Sequence, residues 1–584
     1  MKARTVALRP ALGAVVAAEV VALAAFTALP PGRWGWWPAA VITAVALVAL
    51  VVTVHRRNAV SWVGAQARWR RQRRFATPVG AAVDINHGGH VYGVRTAGEE
   101  AVTMLRIDGR ADSPTFLRSA ATLHTTNTVP LRVLIDHLEQ PGGLHLELDI
   151  VNDGYRVVPQ SGYPPLYSTL LADRSAAGQR TTRLTVRLIL PESVAGLSYR
   201  HSIGTAAAAA SDRILKALLQ QGIRAVPCNA EEHDAALAAL GVGLAAPPPR
   251  SAVAVADEEI APDVLEDPGY DELESEVFAG VGAPSAPVAD VDEHAEAHPA
   301  RVRPKASVGW RTINTRPGYL TTYYFSPEDI TTESLNAMWA LRSDHVVQMT
   351  TLRKQRGGKI AVSALVRTTD PQAPQQPPTL FLNPLPGDQY SAALAAAPTS
   401  RPRLTLPRRV LKARDELAIP IGSTGVLVGA AINDDPAARP AMQRDDLVMW
   451  PLTDPQRATR ITMDTSAFYL RQLLIRAAAC GERIVIYSEE PRRWYSLAQR
   501  HLTVVEPGRH ADFVPTIIVN DHSQIVPSAG LSSTVITLGH NPSEATRPDV
   551  LFQQTSENTV RITAGARVID IAMVVFRQEQ TWTG

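Results

Sequence analysis

The sequence predicts cytoplasmic α/β domains preceded by a two-helix transmembrane hairpin, with a disordered acidic linker between the domains. Three observations lead there. Ala11 to Leu29 and Pro38 to Val54 are apolar runs with almost nothing polar inside them. Val79 to Leu240 alternates strand and helix patterns, and a second such region begins at Trp310. Between these regions, Ser251 to Ala300 holds fourteen acidic residues and neither lysine nor arginine. The chain of 584 residues then divides into a cytoplasmic N-terminus (1–10), the hairpin (11–54), a basic juxtamembrane segment (55–78), an α/β domain (79–244), the linker (245–306) and a second α/β region (307–584).

The hairpin reading rests on length and charge. A bilayer core about 30 Å thick takes roughly 17–25 helical residues, and both runs fall in that range. Lys2, Arg4 and Arg9 precede the first run, and seven arginines follow the second: Arg56, Arg57, Arg68, Arg70, Arg71, Arg73 and Arg74. The turn between the runs carries only Arg33. Basic residues mark the cytoplasmic side, so both chain ends are expected there. Trp34, Trp36 and Trp37 suit the outer interface, where an amphipathic ring sits at headgroup depth. A cleaved signal peptide fits less well, because a small-residue cleavage site is missing and a second run follows at once. Glu19 is the one ionisable residue in the first run, and an acid at that depth points to a contact with another helix.

Net charge is only +2, so the distribution of charge says more than its sum. Six lysines stand against fifty-two arginines, and outside Arg56–Arg74 the arginines are scattered. That pattern excludes a nucleic-acid footprint. The juxtamembrane block suits anionic lipid headgroups, at roughly 1 kcal/mol per basic residue near the surface. Cys228 and Cys480 lie far apart and make neither a disulfide framework nor a metal site.

In order, Val91 to Arg95 and Ala101 to Ile107 read as strands joined by a turn. A helix follows at Pro130 to Glu139, with proline tolerated at its start. Leu144 to Val151 and Thr182 to Leu190 alternate as half-buried strands do. A short helix lies between them at Leu166 to Leu171. A long helix, Ala206 to Gln221, ends at Gly222 in a C-cap role. Ile223 to Val226 reads as a strand and Ala230 to Leu240 as a helix opened by acids. Strands alternating with helices argue for α/β layers. The linker cannot bury enough apolar surface to offset chain entropy. After Trp310 come strands at Tyr319 to Phe325, Val346 to Leu352 and Lys359 to Arg367. This region opens strand, strand, helix, strand, as the earlier one does, which makes a structural repeat without residue identity. Ala467 to Cys480 is a strong helix closed by Gly481, and Arg483 to Ser488 is a near-continuous apolar run suited to a parallel central strand.

The search for chemistry returns little. Arg460 to Pro491 reads strand, loop, helix, strand in the style of a P-loop unit, yet Met463-Asp464-Thr465-Ser466 offers neither glycine nor lysine to cradle phosphate. His294 and His298 flank Glu296, but inside the linker and with no cysteine pair. His87 and His90 flank Gly88-Gly89 as a solvated turn would. No Gly-x-Ser-x-Gly elbow and no His-Glu-x-x-His helix occurs. No cofactor, metal or catalytic residue is therefore expected. Trp494, after Pro491-Arg492-Arg493, is either an aromatic anchor in a protein contact or a buried cap on the strand before it.

Several segments in this order carry a family resemblance. They are the two apolar runs, the arginine-rich stretch, Tyr92-Gly93-Val94-Arg95 with Val102-Thr103-Met104-Leu105, Gly425-Val426-Leu427-Val428-Gly429, Trp450-Pro451-Leu452, Tyr469 to Ala477, Gly481 to Ser488 and Pro491-Arg492-Arg493-Trp494. Together they resemble EccE, a membrane component of mycobacterial type VII (ESX) secretion systems. The likeness covers nearly all of the chain except the acidic linker, which is longer than the family leads one to expect. It implies a non-enzymatic scaffold for protein secretion beside EccB, EccC and EccD, with ATP hydrolysis belonging to EccC, and it brings no catalytic residues. The residues expected to carry assembly are Glu19, Trp34, Trp36, Trp37, Arg68, Arg70, Arg71, Arg73, Arg74 and Trp494. A rival reading is a membrane-tethered α/β enzyme binding a nucleotide-sugar, and a third is a lipid-binding adaptor.

Overall fold

The computed structural model describes residues 6–8, 12–28, 36–54, 58–73, 79–120, 122–159, 162–163, 166–245, 306–355, 357–400, 404–412, 415–506, 509, 511–521, 530, 533–539 and 547–583. The acidic linker with His294, Glu296 and His298, as well as Trp34 and Arg74, lies outside the described residues.

The transmembrane hairpin is overturned. Helix α1 runs Leu12–Ala28 and helix α2 runs Trp37–Val51, 17 and 15 residues. At 1.5 Å per residue these are about 26 and 22 Å long, short of a hydrocarbon core about 30 Å thick. No helix among the described residues is long and apolar enough to cross a membrane. The reason is visible at the end of the second run. Val52–Val54 leaves the helix as strand β2 and pairs antiparallel with strand β1, Val6–Leu8. Apolar residues counted into a span are thus spent on a small sheet instead.

The α/β layering is corrected as well, because the fold is mostly sheet. Among the described residues, one sheet has fourteen strands and another has twelve. In the first, every described pairing is antiparallel. Its helices therefore do not serve as crossovers between parallel neighbours. Its centre is the pair Leu144–Tyr155 and His345–Lys354, with Ile150 opposite Thr350. These two strands come from either side of residues 246–305. Outward from the centre, each side repeats one plan. Gln179–Ile189 and then Glu100–Gly109 flank Leu144–Tyr155, while Ile360–Asp370 and then Gly318–Phe325 flank His345–Lys354. The repeat read from element order is a pseudo-two-fold within one sheet.

Both faces of this sheet are covered, and alternation along the strands supplies both cores. Leu146, Leu148 and Ile150 pack with Ile214 and Leu218 of the helix Ile203–Gln220. Val151, Met349 and Leu365 join Leu237 and Leu394 on the helices Ala230–Gly241 and Gln389–Ala395. The sheet's interior also holds arginines. Arg187 Nε donates to Asp149 Oδ2 at 2.6 Å and its Nη1 to Glu100 Oε2 at 2.9 Å, while Thr351 Oγ1 donates to the other Asp149 oxygen at 2.6 Å. Arg95 donates to the Pro398 carbonyl at 2.6 Å and Arg367 to the Ala393 carbonyl at 2.9 Å. Arginines of three strands thus hold the end of the helix Gln389–Ala395 and the turn after it.

The second sheet is mixed. Leu502–Val505, Ile484–Ser488, Ile517–Asp521, Thr534–Leu538, Thr459–Asp464 and Val550–Ser556 lie side by side in parallel. Antiparallel strands extend it as far as Thr115–Leu117 and Leu123–Thr125, which come from the early part of the chain. Ile484–Ser488 is buried at all five positions between two parallel neighbours, as its apolar run implies. The helix Ala467–Ala479 joins Thr459–Asp464 to Ile484–Ser488, but two strands separate them in the sheet.

Candidate assembly surface

Helix α3, Ala59–Gln72, ties the N-terminal helices to the body. Asn58 starts it, accepting a hydrogen bond from the Ser61 N–H at 2.9 Å, while Ser61 Oγ accepts from the Asn58 N–H at 3.0 Å. This reciprocal cap satisfies two of the donors that a helix start leaves open. Trp62, Ala65, Trp69 and Gln72 fall on one stripe at helical spacing. That stripe meets Trp310, with ring centroids 6.0 Å from Trp62 and 5.5 Å from Trp69, the latter edge-on. Trp69 Nε1 donates to the Val308 carbonyl at 3.2 Å and Gln72 Nε2 to Ser391 Oγ at 2.8 Å. Ala65 is fully buried there. Gly387, at φ +80°, makes the close approach possible, since a Cβ would stand 2.6 Å from the Trp310 ring.

The arginine block divides across this contact. Arg68 reaches the body, with Nε and Nη2 each 3.2 Å from Asp388 Oδ1. Arg73 lays its guanidinium 4.7 Å from the Trp69 ring centroid. Arg70 and Arg71 are exposed, as is Glu19 on α1. Trp36 and Trp37 stack at 4.7 Å and are 59% and 64% exposed. Around them α1 and α2 expose a broad apolar face that includes Val20, Leu23, Phe26, Val45 and Val48. Continuous exposed apolar area of this kind marks an interaction surface.

Trp494 belongs elsewhere. It is fully buried in the second sheet's core, and its Nε1 donates to Asp521 Oδ2 at 2.7 Å. Ser488 Oγ donates to the same oxygen at 2.7 Å, so the indole caps the end of Ile484–Ser488. Tyr495 beside it is 48% exposed. In the sequence Trp310 marks only the start of a region, and Trp62, Gly387 and Asp388 do not stand out. The stripe of Trp62 and Trp69 at helical spacing was the available signal, and the arginines around it masked it.

No family model matches the chain. Individual proteins do. Over 569 residues it is 26% identical to the ESX-2 secretion system protein EccE2 of Mycobacterium tuberculosis (strain CDC 1551 / Oshkosh), covering 93% of this chain and 91% of that protein. It is 25% identical to the ESX-5 secretion system protein EccE5 of Mycobacterium tuberculosis (strain ATCC 25618 / H37Rv), over 71% of this chain and 94% of that one. The chain is similar to EccE proteins over most of its length. The ESX-1 secretion system protein EccE1 of the CDC 1551 / Oshkosh strain agrees, at 26% identity over 77% of each chain. The alignment with EccE2 covers 93% of this chain and so takes in strands of both sheets, well beyond any local motif.

Proposed function

We propose that this protein is a non-enzymatic structural subunit of an ESX type VII secretion complex, held at the inner membrane beside EccB, EccC and EccD. The observation that carries the reading is the near full-length match to proteins named as ESX secretion system components. The surface supports it. The apolar face of α1 and α2, with the stacked Trp36 and Trp37, suits contact with other subunits. The exposed Arg70 and Arg71 suit anionic lipid headgroups, which attract basic side chains with about 1 kcal/mol each near the surface. Helix α3 passes that docking on to the sheets through Trp69 and Arg68.

The test is native purification of the tagged full chain from membranes, followed by mass spectrometry. Co-elution of other secretion subunits is expected. Elution of the chain alone from membranes that contain those subunits overturns the reading.

A further inference from the structure

Between the two sheets lies a polar cavity of about 240 Å³. Four arginines line it, and two of them have acidic partners: Arg106 meets Asp108 at 3.0 Å and Arg224 meets Asp454 at 2.8 Å. Arg110 and Arg180 have none among the described residues. Arg180 is only 6% exposed. Its Nε donates to the Gly422 carbonyl at 2.5 Å, and its guanidinium lies 5.0 Å from the Trp339 ring centroid. Burial, with no counter-charge against it, pushes the Arg180 pKa down to about 9. Arg110 donates to the backbone carbonyls of Thr126 and Gln221. Thr182 stands opposite Ile107 in the ladder, which brings Arg180 and Arg110 to the same end of that strand pair.

A buried guanidinium without a counter-charge carries a large desolvation cost. Of the acids that line the cavity, Asp108 pairs with Arg106, Asp454 with Arg224 and Arg457, and Asp112 with Arg457, so none of these three answers Arg180. Glu482 is 9% exposed, and its two oxygens accept from Thr453 Oγ1 at 2.9 Å and Thr516 Oγ1 at 2.6 Å. Burial raises its pKa, which weakens its opposition to an incoming anion.

We propose that this cavity binds a small oxyanion, a carboxylate or a phosphate, on Arg180 and Arg110. The planar guanidinium fork matches either group through paired N–H donors. The site lies between the sheets, so its occupant fixes how one sits on the other. It is independent of the α1–α3 surface.

Calorimetric titration of the purified full chain, at constant ionic strength set with chloride, uses inorganic phosphate in one arm and citrate in another. Saturable binding is expected in at least one arm, and the tighter arm identifies the group. Arg180→Gln weakens that binding by about tenfold or more, the scale of one charge-assisted pair. Arg110→Gln, at an exposed position, weakens it while leaving the fold intact, and decides the matter if Arg180→Gln does not fold. Arg561→Gln, in an exposed pair with Asp570, leaves it unchanged. No saturable binding of either probe into the millimolar range, or equal binding by the wild type and Arg110→Gln, overturns the proposal.

Discussion

Arg187 is 1% exposed and bonded to Asp149, itself 1% exposed, so the first sheet carries an ion pair in its interior. Burial works against the Arg187 charge, and Asp149 and Glu100 more than offset it, leaving the pKa above its ordinary value. Removing one partner strands the other. Arg187→Ala is expected to cost about 3–5 kcal/mol in denaturant unfolding, the scale for an uncompensated buried charge. His233 is fully buried nearby. Burial first, and the Arg95 charge second, push its imidazole from 6.5 down to about 3. The unfolded chain takes up a proton below about 6.5 while the folded chain does not until about 3. The His233 contribution is therefore whole above 6.5 and is lost as pH falls toward 3, at about 1.4 kcal/mol per pH unit. His233→Leu should flatten the stability–pH curve in that window by one proton. Burial likewise pushes the Cys228 and Cys480 thiols up to about 12. Both should resist alkylation at neutral pH until the chain unfolds, as mass spectrometry of labelled native and denatured protein would show. None of these environments was legible in the sequence. Partners such as Arg187 and Asp149 lie on different strands, and no local pattern couples them.

Helix α3 shows what one element can and cannot reveal alone. Its basic residues were visible, but which of them meet solvent depends on Trp310 and Asp388, more than two hundred residues away. Trp69→Ala removes an edge-on aromatic pair and a hydrogen bond, together about 2 kcal/mol. Hydrogen exchange over Ala59–Gln72 should then quicken by roughly 30-fold, with the sheets unaffected. No quickening would mean that α3 is held by other contacts. The helices α1 and α2 were legible as apolar elements, but their length was not. Strand pairing of Val6–Leu8 with Val52–Val54 competes with helix for the same residues, and apolar run length does not record that competition.

Across the whole molecule, most strands and helices after Val79 could be read from alternation and caps, whereas the way they assemble could not. Leu144 to Val151 and Val346 to Leu352 both read as strands, and either could have bordered a parallel sheet. Their pairing with each other is a long-range choice set by packing on both faces. It carries a prediction about the intact protein. A chain cut at an engineered protease site between residues 246 and 305 should stay a single particle in gel filtration and unfold in one transition. Separation of the two fragments under native conditions would contradict the shared sheet. Ala245 and Ala306, which border that stretch, pack into one core. Both ends of the stretch are therefore anchored in the same packed core, and foreign cargo such as a fluorescent reporter spliced between them leaves both anchors in place. Anchored at both ends in this way, the stretch between can change in length while the scaffold keeps its shape.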